Sequence, residues 1–141
     1  MDQLLEFIAH HPFLWGALGV IVIALIANEV WRGASGNAPI SSSEAVRLMN
    51  SDDAVVVDTR SSSDYKKNHI LNAKHVPLAG IDDRAKEITK DTNKPIIVYC
   101  GAGNSAPQAA SKLRAKGYSR VYALKGGINS WQADGLPVTS K

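Results

Sequence analysis

Ile96-Ile97-Val98-Tyr99 is an apolar run of strand length that ends on Cys100, the single cysteine of the chain. Gly101-Ala102-Gly103-Asn104-Ser105 follows with no bulky side chain, and Ala106, Ala109, Ala110 and Leu113 then recur at the spacing of one helix face. The stretch predicts strand, loop and helix in direct succession. Gly101 and Gly103 can take dihedrals closed to other residues, so the loop can turn its N–H groups inward as an anion-sized nest around the sulfur. Ser105 stands where an N-cap belongs, with Gln108 at the capping-box spacing, and Pro107 falls in the first turn, where an absent N–H costs little. A helix beginning at the loop would lower the thiol pKa from its free value of about 8.5 and favour the nucleophilic thiolate. The bland reading of Cys100 is a small buried hydrophobe at a strand end. The glycine-rich turn and capped helix favour chemistry instead.

Elsewhere the pattern is that of alternating strands and helices. Ser41 and Glu44 form a second capping-box spacing, Ile40 and Ala45 could staple the start of that helix, and Ala45, Leu48 and Met49 would face the core. Val55-Val56-Val57 is the continuous β-branched run of a central parallel strand, with Asp58 and Arg60 at its carboxyl end. Sites in open α/β sheets form outside the carboxyl ends of strands, so Asp58 and Arg60 are expected near Cys100. Ile81, Ala85 and Ile88 have helical spacing, Gly117 fits a helix C-cap, and Val121-Tyr122-Ala123-Leu124 reads as another strand. Gly126-Gly127 permits a tight turn, after which Ile128 and Trp131 would pack a last helix on the sheet. The fold class expected is α/β, a parallel sheet flanked by helices.

The first residues differ in character. Pro12 through Asn28 carries no charge, near the short end of the roughly 17–25 residues a spanning helix needs, and Trp15 and Trp31 sit where interfacial aromatics belong. A cleaved signal peptide would want basic residues ahead of the apolar core, where Asp2 and Glu6 stand. The expected organisation is an anchor and linker over residues 1–36, with one transmembrane helix over about 12–31, and a domain over 37–141. Gly33 to Ala38 has linker composition. Arg32 is the first positive side chain and Arg47 the next, which favours the domain in the cytoplasm. A lone cysteine cannot form an internal disulfide and suits the same reducing compartment. Net charge of +3, without an arginine-rich run, argues against nucleic acid.

From Ile40 to Val138 the chain resembles the rhodanese-like sulfurtransferase domains. The resemblance rests on the cysteine loop, on Val55-Val56-Val57-Asp58-Thr59-Arg60, on His69-Ile70 with Ala73 and Val76-Pro77, and on Leu124-Lys125-Gly126-Gly127-Ile128 with Trp131. With the apolar segment, it looks like the single-domain, membrane-anchored bacterial members. This implies a rhodanese-like sheet behind an inner-membrane, single-pass helix, and sulfur transfer with no metal or organic cofactor. Cys100 would take a sulfane sulfur from thiosulfate or a persulfide, hold it as a persulfide, and yield it to cyanide or a thiol, including a protein thiol. Backbone N–H groups of Gly101, Ala102, Gly103, Asn104, Ser105 and Ala106 would bind the persulfide, and Asp58 and Arg60 would support the loop.

Two departures from the family pattern, and two rival readings, shape these expectations. The family's loops commonly carry basic residues one and five positions after the cysteine, where Gly101 and Ser105 stand, so weak thiosulfate activity is expected. Asn68 and Asn72 occupy turn positions usually held by glycine, and asparagine tolerates left-handed backbone. Cysteine phosphatases of the same fold need an arginine six positions after the cysteine, here Ala106, which argues against them. His69 and His75 lack the company of a metal site and read as structural. The alternative function is a membrane-tethered binding or regulatory module that has lost efficient chemistry.

Overall fold

The computed structural model describes residues 1–34 and 38–140. It divides into two compact units, Met1–Ser35 and Gly36–Lys141. The middle of the expected linker, Ser35 to Asn37, lies outside the described residues, while Gly33 and Ala34 still belong to a helix.

The described residues of the first unit form α1 (Asp2–His10) and α2 (Pro12–Ala34). Proline disfavours helical backbone in the residue before it, and His11 accordingly breaks the chain at φ −129°, ψ 54°. Pro12 then opens α2, where its missing N–H is harmless. Pro12–Trp31 is a 20-residue stretch of mean hydropathy 2.1 with none of it buried, long and apolar enough to cross a membrane. No feature of residues 2–10 had marked α1 as a separate helix.

The second unit opens with α3 (Ser42–Ser51), where the expected capping box is complete: Ser41 N–H donates to Glu44 Oε2 at 2.8 Å and Glu44 N–H to Ser41 Oγ at 3.3 Å. Among the described residues six strands follow in chain order, β1 (Val55–Asp58), β2 (His69–Ile70), β3 (Lys74–His75), β4 (Ile96–Tyr99), β5 (Val121–Ala123) and β6 (Val138–Thr139). Four of them form a parallel sheet in the order β3-β1-β4-β5. The helices between them are α4 (Ser62–Lys67), α5 (Ile81–Ile88), α6 (Ala106–Ala115) and α7 (Gly127–Ala133).

Because side chains alternate across a strand, Val57 and Val98 face one side of the sheet and Val56, Ile97 and Tyr99 the other. The first face packs with Ile81, Ala85 and Ile88 of α5 and with Ala106, Ala109, Ala110 and Leu113 of α6. The second packs with Ala45 of α3 and with Ile128 and Trp131 of α7. A strand covered on both faces must be apolar throughout, which is why Val55-Val56-Val57 and Ile96-Ile97-Val98-Tyr99 show no polar alternation. Leu113 is fully buried, and truncating such a side chain to alanine costs about 2–5 kcal/mol.

Two expectations need adjusting. Asn72 does adopt left-handed backbone at φ 62°, but Asn68 is extended at φ −162° and ends α4 instead. The antiparallel pair of β2 with β6 was not anticipated, since strands of two residues carry no periodicity to read.

Candidate active site

β4 carries the chain to Cys100 alongside the carboxyl end of β1, where Asp58 and Tyr99 are register partners. Thr59 fastens that end: its N–H and its hydroxyl both donate to the Tyr99 carbonyl, at 3.1 and 3.0 Å. Cys100 is only 5% exposed, so its sulfur depends on what the loop offers it. Gly103 N–H donates to Sγ at 3.0 Å. Gly103 holds φ +89°, and a Cβ there would lie 2.9 Å from the backbone nitrogen of Gly126. Gly101 stays outside the left-handed region, so of the two loop glycines only Gly103 uses that freedom.

Ser105 corrects the sequence reading. It holds the N-cap position of α6, yet its backbone is helical at φ −99°, ψ −18°, and its side chain makes no capping bond. The capping box with Gln108 does not form. Its hydroxyl instead stands among the groups that favour the Cys100 thiolate. Burial pushes the Cys100 thiol up, but the Ser105 hydroxyl and the N–H groups of Ala106, Ser105 and Gly103 outweigh it and hold the pKa below the ordinary value. Gly101, Ala102 and Asn104 carry the chain between these donors.

A second support comes from the start of α7. Ile128 N–H donates to the Cys100 carbonyl at 2.9 Å and Asn129 N–H to the Gly101 carbonyl at 3.1 Å. Gly126 and Gly127 turn the chain into this position with φ 73° and 58°. At Gly127 a Cβ would sit 2.3 Å from the Cys100 carbonyl oxygen and 2.6 Å from that of Gly101. The Gly126-Gly127 pair was legible as a tight turn, but its role as the surface on which the cysteine loop rests was not. The only signal available was two consecutive glycines at the start of a helix, which also fits an ordinary turn.

Asp58 and Arg60 meet at the same sheet edge, but their contacts run to Tyr99 rather than to the sulfur. Arg60 grips the fully buried Asp58 through Nε at 3.1 Å to Oδ1 and a terminal nitrogen at 2.8 Å to Oδ2. Tyr99 Oη donates to Asp58 Oδ2 at 2.8 Å and accepts from Ile70 N–H at 3.1 Å. Arg60 also donates to the Asn68 carbonyl and lies over the Tyr99 ring, 5.7 Å from its centre. Burial pushes the Tyr99 hydroxyl far up, and the Asp58 charge adds to it, so this tyrosine stays protonated and donating. Burial works to lower the Arg60 pKa, but its bonds to Asp58 raise it overall. The cluster braces β4 one residue before Cys100.

His69 and His75 belong to this brace. His69 Nδ1 donates to the Tyr65 carbonyl at 2.7 Å and stacks on the Tyr65 ring at 3.8 Å, while His75 Nε2 donates to the Arg60 carbonyl at 2.8 Å. Among the described residues no group of three or more His, Cys, Asp or Glu side chains gathers as a metal site.

A parallel sheet covered on both faces, with a cysteine closing one strand inside a ring of N–H donors at a helix start, has the architecture of the rhodanese-like fold. The family profile of the Rhodanese-like domain matches residues 41–134, and the chain belongs to that family. It is 32% identical over 139 residues to the uncharacterized protein YibN of Escherichia coli strain K12, covering 98% of this chain and 97% of that one. It is 36% identical over 94 residues to the thiosulfate sulfurtransferase GlpE of Coxiella burnetii, covering 67% of this chain and 86% of that one. The solution structure of a rhodanese-like domain from Anabaena sp. superposes with a TM-score of 0.64 at 27% identity, covering 73% of this chain and 79% of that one. Sulfurtransferase chemistry thus attaches to the chain at the level of its family.

Proposed function

We propose that this protein is a membrane-tethered sulfurtransferase in which Cys100 carries sulfur as a persulfide. The observation that supports this most is the Gly103 N–H donated to the Cys100 sulfur at 3.0 Å beside the start of α6, with the Ser105 hydroxyl and the Ser105 and Ala106 N–H groups also favouring the thiolate. Such donors stabilise a thiolate before reaction and the negative terminal sulfur after it, by the logic of an oxyanion hole.

The cycle balances without a redox partner. Cys100 thiolate attacks the outer sulfur of thiosulfate or of a persulfide; a new S–S bond forms, the donor's S–S bond breaks, and sulfite or a thiolate leaves with the electron pair. An acceptor, cyanide or a thiolate, then attacks the terminal sulfur and Cys100 departs as the thiolate. The loop from Gly101 to Ala106 offers no positive side chain. A thiosulfate dianion therefore forgoes charge-assisted contacts worth about 1.5–3 kcal/mol, roughly ten- to hundredfold in efficiency. A less charged persulfide is the better donor.

In this reading α2 spans the inner membrane of a bacterium, with the sulfurtransferase unit in the cytoplasm, as the positive charge of Arg32 after the apolar stretch favours. The uncharged loop also favours a second reading, a tethered module that binds a partner and no longer turns over. Intact-protein mass spectrometry of the detergent-solubilised chain separates them, after treatment with thiosulfate or with glutathione persulfide, beside Cys100→Ser. The proposal expects one removable sulfur on the wild type alone, more readily from the persulfide. No gain from either donor overturns it in favour of the binding module.

A further inference from the structure

We propose that α1 is a lipid-binding helix that lies in the headgroup layer of the bilayer, an inference that rests on the reading of α2 as a spanning helix. At 3.6 residues per turn, Leu5 and Ile8 share one face of α1 with Phe7 at its edge, while Asp2, Gln3, Glu6 and His10 fall on the opposite face. Leu5 is 65% and Phe7 54% exposed, while Ile8 is half-buried, so the apolar side is open over part of its width. Length excludes α1 as a span of its own, because nine residues reach only about 13 Å against a hydrocarbon thickness of about 30 Å. Composition excludes it as an extension of α2, because Asp2 and Glu6 would be drawn into the hydrocarbon.

Continuity with α2 identifies what covers the face. The candidate span Pro12–Trp31 accounts for the bilayer thickness with Glu29 near its far end, so α1 ends where the hydrocarbon begins. Pro12 denies helical backbone to His11, and the helix axis is interrupted at that boundary. Phe7 packs its ring against His11 with centroids 4.8 Å apart, holding the apolar side of α1 to the junction. Trp15, one turn into α2, marks the level of the interface. A short helix with separated apolar and polar faces, entering at headgroup depth, fits a lipid surface.

The test uses the full chain in the Cys100→Ser background, reconstituted into phosphatidylcholine vesicles, with one environment-sensitive NBD label at a time. The labels sit at Leu5→Cys on the apolar face, Gln3→Cys on the polar face and Val22→Cys within α2. The proposal expects the Leu5 label to lose most of its quenching by aqueous iodide relative to the Gln3 label. It also expects quenching of that label by a nitroxide held at shallow depth in the lipid, while the Val22 label responds to a deep nitroxide. Equal iodide quenching at Leu5 and Gln3, with Val22 still deep, puts α1 in water and overturns the proposal. Protection of the Leu5 label from iodide and nitroxide alike overturns it in favour of a protein partner. An iodide-accessible Val22 label removes the spanning reading itself, and the proposal with it.

Discussion

The Tyr99 hydroxyl donates to Asp58 Oδ2 at 2.8 Å between two strands paired in register, directly before Cys100. The same oxygen accepts from Ile70 N–H at 3.1 Å, so one hydroxyl ties β4 to β1 and to β2. Tyr99→Phe leaves the buried Ile70 N–H without its acceptor, a loss of about 1–3 kcal/mol. Denaturant unfolding of the detergent-solubilised chain, followed by near-UV circular dichroism, measures it. A change within error would mean that the brace carries no stability.

The same hydroxyl makes a pH prediction. Burial and the Asp58 charge raise the folded-state pKa of Tyr99 above its ordinary 10.0. Its contribution to stability is therefore complete below pH 10.0 and falls as the pH rises beyond it, because only the unfolded chain gains by ionising. Wild type should lose stability faster than Tyr99→Phe in that alkaline window. Parallel unfolding curves above pH 10.0 would contradict the assignment.

Gly127 and Gly101 test the support of the loop against each other. Gly127→Ala forces a Cβ within 2.3 Å of the Cys100 carbonyl in left-handed backbone, so it should cost at least about 1–2 kcal/mol and displace α7 from the loop. Gly101→Ala meets nothing within 4 Å, and its stability should stay within about 0.5 kcal/mol of wild type. Unfolding midpoints and persulfide loading read both variants. Equal behaviour of the two would refute the buttress.

Ser105 should be visible in the reactivity of the thiol. Because the folded-state pKa of Cys100 is lowered, its thiolate should form, and iodoacetamide alkylation should reach its plateau, at lower pH than for a free cysteine. Ser105→Ala removes the side-chain donor and should move the alkylation profile to higher pH. An unmoved profile would show that the backbone donors suffice.

Charge in the loop is the lever on donor choice. Ser105→Arg should raise thiosulfate turnover roughly ten- to hundredfold, the worth of a hydrogen bond to a charged group. Turnover with a low-charge persulfide should change less. Steady-state kinetics with the two donors checks the difference, and equal thiosulfate turnover before and after would remove the electrostatic argument.

Local pattern carried much of this architecture. The doubly apolar strands Val55–Asp58 and Ile96–Tyr99, the Ser41 capping box, the faces of α5 and α6 and the apolar stretch of α2 were all legible, because each depends on residues within a turn or two of one another. The candidate nucleophile and its following loop were legible for the same reason. Asn68 and Ser105 misled, since each residue type has two ordinary uses and neighbours along the chain do not choose between them. The strands β2 and β6 were too short to announce themselves.

Neighbouring residues along the chain were enough to place a cysteine at the end of a buried strand, beside a small-residue loop at the start of a helix. Packing between distant segments left the Ser105 side chain without a capping bond, set Gly103 N–H on the Cys100 sulfur and, through Gly127, brought Ile128 N–H to the Cys100 carbonyl. It also placed Asp58 and Arg60 on Tyr99 rather than on the thiol. The reason is range. Periodicity and capping are settled over a few residues, whereas the partner of a hydroxyl, carboxylate or carbonyl depends on which distant segments packing brings within about 3 Å.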